Sequence, residues 1–273
     1  AKPLGRDLRD TAYGIFEVAC GTMVRAVKAV STYRGRDPRD FALFAFGGNG
    51  PVVGAAIADL LEMREVVIPL APGVFSAVGL LLSDIEQEKS RAFLRPLSAV
   101  GAGEIEAIYA EIERALRDDF ADGYREAEVS LARFADLRYA GQAHELSVPF
   151  SADRAAMAEA FGAEHARTYG HRAEAQAVEC VALRVKGRVA KAREEAPPPP
   201  LPKASGEAPA SRQAYFGPRH GQAETPVLTR AALAASGTRA GPLIVEEYDS
   251  TTIVPPGWSA RVDAAGNVRL SRE

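Results

Sequence analysis

Leu8, Ala12, Ile15, Ala19, Met23, Ala26, Val27 and Val30 recur at helical spacing, which predicts one amphipathic helix over about Asp7–Ser31 with that stripe as its packing face. The next apolar run, Phe41–Phe46, does not alternate, as expected of a strand buried on both faces of a parallel sheet. Gly47, Gly48 and Gly50 follow it directly, and Pro51 fits the first position of a helix over Pro51–Glu62, where a missing N–H costs nothing. A second buried run at Glu65–Pro69 completes a strand–helix–strand unit, hence a parallel pair with a right-handed crossover. Pro72-Gly73 then turns the chain into a short helix, Val74–Leu82, predicted to pack back on the sheet.

The pattern changes after Asp84. Glu86–Leu97 reads as a strand or extended connector, and Ile105, Ile108, Tyr109, Ile112, Leu116 and Phe120 mark a helix that stops near Gly123. Val129–Tyr139 and Glu145–Phe150 read as strands reversing at Gly141-Gln142. A helix carrying Met157, Ala160, Phe161 and His165, and a strand alternating through Val181, Leu183 and Val185, complete an antiparallel α+β module. Glu194–Ser211 is rich in proline, with Pro197–Pro200 and Pro202, and reads as an extended linker. Short strands are predicted beyond it at Gln213–Phe216, Leu243–Glu247, Thr251–Val254, Ser259–Val262 and Val268–Leu270, with a helix near Arg230–Ala235. Trp258 is expected to anchor the small core of that β-rich end. The domain organisation is therefore 1–85, 86–192, a linker over 193–212, and 213–273.

Composition narrows the class without naming a function. With 273 residues, 47% hydrophobic and 25% charged, the chain has the make-up of folded domains. A net charge of −3 gives no electrostatic reason to expect a nucleic acid or an acidic membrane as partner. No apolar stretch reaches the ~20 residues a membrane helix needs, and no secretory signal pattern opens the chain. The two cysteines, Cys20 and Cys180, are far apart in apolar segments, so buried reduced thiols and a cytoplasmic location are expected.

The chemistry-bearing candidates begin with the glycine loop. Glycines at the carboxyl end of a strand expose bare backbone where open α/β sheets place their ligands. The loop has neither the Gly-Lys-Ser/Thr ending of a P-loop nor the Gly-x-Gly-x-x-Gly spacing of dinucleotide binders. A tight structural turn is the competing explanation. Pro72–Ser76 can likewise face a cleft or simply connect strand to helix. Asp136, Arg138 and Glu145 flank the Gly141-Gln142 turn, either as a cross-strand ion pair on a solvated hairpin or as a polar cluster whose arginine presents a planar fork. His144 suits an exposed hairpin position, His165 a hydrogen-bonded core position and His171 a turn. Their spacing does not suggest a zinc site, and no metal ligands are expected in the chain.

These landmarks occur in a telling order: Phe41–Pro51, Val66-Val67-Ile68-Pro69, Pro72–Leu80, Asp136–Leu146, Tyr169-Gly170-His171-Arg172, Gly241–Glu247 and Val254–Trp258. Together they resemble the C-terminal portion of the hydantoinase A / 5-oxoprolinase family, over essentially the whole chain. The resemblance implies an ATP-dependent enzyme that opens a cyclic amide by phosphorylating the ring amide. Close relatives include acetone and acetophenone carboxylase subunits, so a carboxylase subunit is the alternative, and a non-catalytic assembly module or inactive fragment a third. It also implies that 1–85 is a partial lobe, the second, of an actin/Hsp70/sugar-kinase-like ATPase core. Gly47, Gly48, Asn49, Gly50 and Pro51 would then receive the adenosine part of ATP. Gly73, Ser76, Asp136, Arg138, Gln142 and Glu145 would face the cleft or the substrate.

The first-lobe strand with its Gly-Gly-Thr turn and flanking aspartates has no counterpart here, and the chain opens Ala1-Lys2-Pro3 without a methionine. The expectation is a fragment or subunit without turnover of its own, whose partners are the N-terminal ATPase lobe, which would supply the Mg2+ ligands, and a hydantoinase B-type subunit. One position departs from the family pattern: Val53 stands where many relatives carry a histidine.

Overall fold

A computed structural model describes residues 1–99, 101–121, 123, 128–173, 176–190 and 210–272. Most of the predicted proline-rich linker at 193–212 lies outside the described residues. The chain forms two compact units, Ala1–Leu81 with the described part of Glu195–Glu273, and Leu82–Glu194.

The first unit begins with α1 (Leu8–Val30), whose N-cap Asp7 accepts a hydrogen bond from the Arg9 backbone N–H. Strand β1 (Leu43–Phe44), α2 (Gly50–Leu60) and β2 (Glu65–Ile68) follow, with β1 and β2 parallel as predicted. A single 3-10 turn, Pro72–Val74, leads into α3 (Phe75–Leu82). The C-terminal segment adds β7 (Ala210–Tyr215), α6 (Gly217–His220), β8 (Gln222–Thr229), α7 (Arg230–Ser236), β9 (Arg239–Ala240), β10 (Leu243–Glu246), β11 (Thr251–Val254), β12 (Trp258–Val262) and β13 (Val268–Arg272). One sheet runs β1-β2-β13-β12-β9 and a second β11-β10-β8-β7.

The second unit holds a sheet of order β3-β6-β4-β5, made of β3 (Ile85–Pro96), β4 (Val129–Tyr139), β5 (Leu146–Pro149) and β6 (Val178–Val189). Its pairings are all antiparallel. Helices α4 (Ala102–Ala121) and α5 (Arg154–Tyr169) share its core, where Ile105, Ile108, Tyr109, Ile112, Leu116 and Phe120 are all buried as their spacing predicts.

Four expectations need correction. First, the β-rich end at 213–273 does not stand apart. Val268–Ser271 of β13 pairs antiparallel with Glu65–Ile68 of β2, and Trp258, Val268 and Leu270 share one core with Ala45, Val53 and Ile57. Trp258 also donates to the Asp59 carboxylate on α2, at 3.3 Å to each oxygen. Local pattern predicts a strand but not which distant strand it joins. Second, the strand before the glycine loop is not buried on both faces. It is a sheet edge, with Leu43 and Ala45 facing the core while Phe41, Phe44 and Phe46 remain exposed. Third, α3 does not bury itself: Val78, Leu80, Leu81 and Leu82 are exposed. Fourth, the core-facing side of α1 is Phe16, Cys20, Val24 and Val27, whereas Leu8, Ile15, Met23 and Val30 of the predicted stripe are exposed. A helix apolar on two sides offers two stripes, and helical periodicity alone does not choose between them.

Candidate functional site

Three segments of the first unit converge at the carboxyl end of β1. The glycine loop leaves the strand with Gly47 at φ 84°, a left-handed conformation that glycine adopts freely. The Gly47 N–H donates to the Pro72 carbonyl at 2.7 Å, so the loop is tied to the turn after β2. That turn passes through Ala71 at φ 49°, a left-handed backbone outside glycine, and then through Gly73. The third segment is the turn between β10 and β11. Its Asp249 carboxylate accepts the Gly73 N–H at 2.8 Å, and its carbonyl oxygen lies 3.7 Å from where a Cβ on Gly48 would sit.

Each glycine has its own reason for lacking a side chain. A Cβ on Gly73 would fall 2.7 Å from the Asp249 carbonyl oxygen and 2.8 Å from its carboxylate, so the two turns require glycine there. One on Gly50 would stand 3.4 Å from the Ala45 backbone, where α2 starts close against β1. Nothing lies within 4 Å of the corresponding position on Gly47, so the space in front of that backbone is open. Asn49 is the N-cap of α2 without making a side-chain cap bond, and it is exposed. Pro51 is buried in the first turn, and Val53 is buried in the core rather than facing this corner.

A buried ion pair underlies the corner. Arg230, at the start of α7 and 1% exposed, donates to both Glu247 oxygens at 2.6 and 2.7 Å. Its remaining donors reach the carbonyls of Ile68 (3.3 Å), Pro69 (2.8 Å) and Gly266 (2.6 Å). One guanidinium thus holds the end of β2, the β12–β13 turn and the base of the Asp249 turn. Sequence reasoning missed both Arg230 and Asp249, because nothing local distinguishes an arginine that will be buried from one that will be solvated. The only available signal was the place of Asp249, two residues after the Gly241–Glu247 landmark.

The other predicted residues are distributed differently. Ser76 is exposed in the first turn of α3. Asp136, Arg138, Gln142 and Glu145 belong to the second unit. Asp136 is 2% exposed, with Arg184 Nη2 at 2.8 Å and Nε at 3.2 Å from its Oδ2. Burial pushes its carboxyl above the ordinary value, Ser147 and Lys186 oppose the rise, and Glu145 adds to it. Arg138 pairs across the sheet with Glu179 at 3.1 Å. Gln142 lies 3.3 Å from His165 Nε2, whose other ring nitrogen is 2.7 Å from the His171 carbonyl, so His165 is a hydrogen-bonded core histidine as its position on α5 suggested. Glu145 is exposed. Asp136 and Arg138 are thus engaged in cross-strand ion pairs. Among the described residues no group of three or more His, Cys, Asp or Glu is arranged to hold a metal ion.

A separate cleft of about 560 Å³ lies among α1, α2 and β7, lined by Tyr13, Phe16, Tyr215 and Phe216, and does not include the glycine corner.

Comparison with known proteins puts these features in context. Residues 1–89 match the family model described as Hydantoinase/oxoprolinase, and residues 97–271 that of the Hydantoinase/oxoprolinase C-terminal domain. The "uncharacterized protein MJ0964" of Methanocaldococcus jannaschii is 35% identical over 100% of this chain and 39% of its own length. The caprolactamase subunit alpha of Pseudomonas jessenii is 31% identical over 99% of this chain and 41% of its own. The crystal structure of the ATP-dependent caprolactamase from that organism superposes with a TM-score of 0.80 at 28% identity, covering 100% of this chain and 41% of that one. The acetone carboxylase beta subunit of Xanthobacter autotrophicus is 25% identical over 96% of this chain and 39% of its own. The chain spans about two fifths of the length of these relatives.

Proposed function

Because the chain belongs to the hydantoinase/oxoprolinase family, we propose that it is the C-terminal part of an ATP-dependent cyclic-amide hydrolase, with its first unit as the second lobe of an actin/Hsp70/sugar-kinase-like core. The observation that carries the proposal is the glycine corner: open space before the Gly47 backbone, at the carboxyl end of a parallel strand, in a family with an ATP-dependent member. Gly47, Gly48, Asn49, Gly50 and Pro51 form the wall against which the adenosine part of ATP rests, and Gly73 and Ser76 border the same cleft. The terminal phosphoryl group of ATP passes to the ring amide oxygen as its bond to ADP breaks. Water then attacks the activated ring carbon, the carbon–nitrogen bond opens, and inorganic phosphate leaves.

This chain contributes positioning rather than bond-making. The ligands of the Mg2+ that accompanies ATP are proposed to lie in the N-terminal lobe, and no magnesium step is assigned to this chain. The opposite wall of the cleft is assigned to an N-terminal ATPase lobe. Exposed Leu8, Ile15 and Val18 on α1 and Phe44, Phe46 and Val78 near the corner are the surface it would cover. In the second unit, Asp136, Arg138, Gln142 and Glu145 are proposed to border the substrate side, and a hydantoinase B-type subunit is the proposed further partner. The location proposed is the cytoplasm.

The test is ADP release by the enzyme as isolated, with a panel of hydantoin, 5-oxoproline and caprolactam added one at a time. Release that depends on one ring and matches its opening supports the proposal. No stimulation by any cyclic amide contradicts it. The 273-residue chain alone is expected to show no steady phosphate release. The likeness to an acetone carboxylase subunit favours a second reading, ATP-dependent carboxylation, and incorporation of labelled bicarbonate into a ketone would select it.

A further inference from the structure

Asp249 lies about 200 residues beyond the glycine loop in sequence, yet it touches the turn that holds the loop in place. Its carboxylate takes the Gly73 N–H at 2.8 Å, the adjoining Pro72 carbonyl takes the Gly47 N–H at 2.7 Å, and Ala71 beside them is held in the left-handed region. A non-glycine residue in that conformation is disfavoured and persists only where its surroundings impose it. The imposing groups are visible on both sides. Arg230 grips the carbonyls of Ile68 and Pro69 upstream, and Asp249 grips Gly73 downstream. Glu247, two residues before Asp249, is held by the same arginine. Ser250, the residue after it, carries a buried hydroxyl with no hydrogen-bond partner among the described residues. An exposed loop at a sheet edge has little other means of keeping its shape, since Gly47 and Gly48 bring no side chains of their own.

We propose that Asp249 is a positioning residue of the nucleotide site: through Gly73 and Pro72 it fixes the backbone of Gly47 and Gly48 in the form that receives an adenine nucleotide. The inference rests on the nucleotide reading given above. The role belongs to the side-chain oxygen as an acceptor, so asparagine can replace it in part and alanine cannot. Tyr248, fully exposed on the same turn, supplies an internal control because its removal disturbs no packing.

The experiment measures binding of MgADP and its fluorescent N-methylanthraniloyl derivative to the enzyme as isolated, for the unmodified protein and for Asp249→Ala, Asp249→Asn and Tyr248→Ala. The melting temperature of each is recorded alongside. The expected result is Kd raised ~10-fold or more in Asp249→Ala, as fits loss of a charge-assisted hydrogen bond. Asp249→Asn should stay within about threefold and the melting temperature should barely change. Unaltered Kd in Asp249→Ala, with tight binding by the unmodified protein, overturns the role of Asp249 and leaves the nucleotide site standing. Equal losses in Asp249→Ala and Asp249→Asn, accompanied by a fall in melting temperature, also overturn it, because they mark a purely structural contact. Should Asp249→Ala fail to fold, Asp249→Ser, whose shorter side chain also gives up the carboxylate acceptor, takes its place: a ~10-fold rise in Kd at unchanged melting temperature supports the role, and an unaltered Kd overturns it. No MgADP binding by the unmodified protein removes both this inference and the nucleotide reading.

Discussion

Arg230 and Glu247 form a two-pronged ion pair in the core of the first unit, with both guanidinium–carboxylate contacts at 2.7 Å or less and both side chains almost wholly withdrawn from solvent. The pair ties α7 to the end of β10. The other donors of Arg230 tie the same point to β2 and to the β12–β13 turn. A buried charge is expensive unless every donor finds an acceptor, and here each terminal nitrogen does.

Removing one partner should therefore be severe. Arg230→Met leaves a buried carboxylate and the carbonyls of Ile68, Pro69 and Gly266 without their donor, and is expected to cost about 3–5 kcal/mol. Replacing both as Arg230→Met with Glu247→Leu should recover part of that loss. Trp258 is the single tryptophan and is buried in this unit, so its fluorescence during urea unfolding reports the change. A midpoint unaltered by Arg230→Met would show that the pair does not hold the unit together.

Gly54 in α2 tests how closely that helix lies on the sheet. A Cβ there would approach Val66 Cγ1 to 3.1 Å and the Ala45 Cβ to 3.2 Å. Gly54→Val is expected to destabilise by about 1–3 kcal/mol through overpacking, read by the same fluorescence transition. A neutral effect would mean that α2 can ride away from β1 and β2.

Both cysteines should resist thiol reagents in the native state. Cys20 and Cys180 are buried, burial raises both thiol pKa values, and that of Cys180 is pushed up to about 11. At pH 8 both remain largely protonated. Labelling with a chromogenic disulfide should find no fast thiol in the folded chain and two in urea. One fast-reacting native thiol would contradict the packing around it.

Asp263 should make stability pH-dependent on the acid side. Burial pushes its carboxyl up, but the Asn267 side chain and N–H, the Ala265 N–H and Arg269 outweigh burial and hold its pKa below the ordinary value. A carboxyl whose folded pKa is depressed contributes its full stabilisation above the unfolded value, ~3.9, and loses it as pH falls through the folded one. Urea midpoints of the unmodified protein and of Asp263→Asn should therefore differ at pH 6 and draw together as the medium is acidified below the unfolded value. A constant difference across that range would remove Asp263 as the cause.

Much of this architecture was legible from local pattern. The six apolar positions of α4 are all buried, the β1–β2 pair is parallel, and the Gly141-Gln142 reversal joins β4 and β5. The misreadings arose where partners lie far off in sequence. Phe41–Phe46 reads as doubly buried because composition records hydrophobicity, not what covers each face, whereas Phe44 and Phe46 are exposed and their rings meet each other and Phe75. The pairing of β13 with β2 joins segments some 200 residues apart, which no short window reveals. Of the candidate site, the glycines were visible as a loop. Asp249 and Arg230, which give that loop its shape, were not, since an acceptor in a turn and an arginine at a helix start look ordinary until the backbone they bind is placed beside them.

The measurement that bears most directly on the central claim is photolabelling of the isolated enzyme with an azido-adenine nucleotide, followed by peptide mapping. Adduct within residues 44–52 or 70–76, reduced by excess MgATP, is the predicted result. Adduct confined to other segments, with both of these stretches unlabelled, would contradict a nucleotide site at the glycine corner.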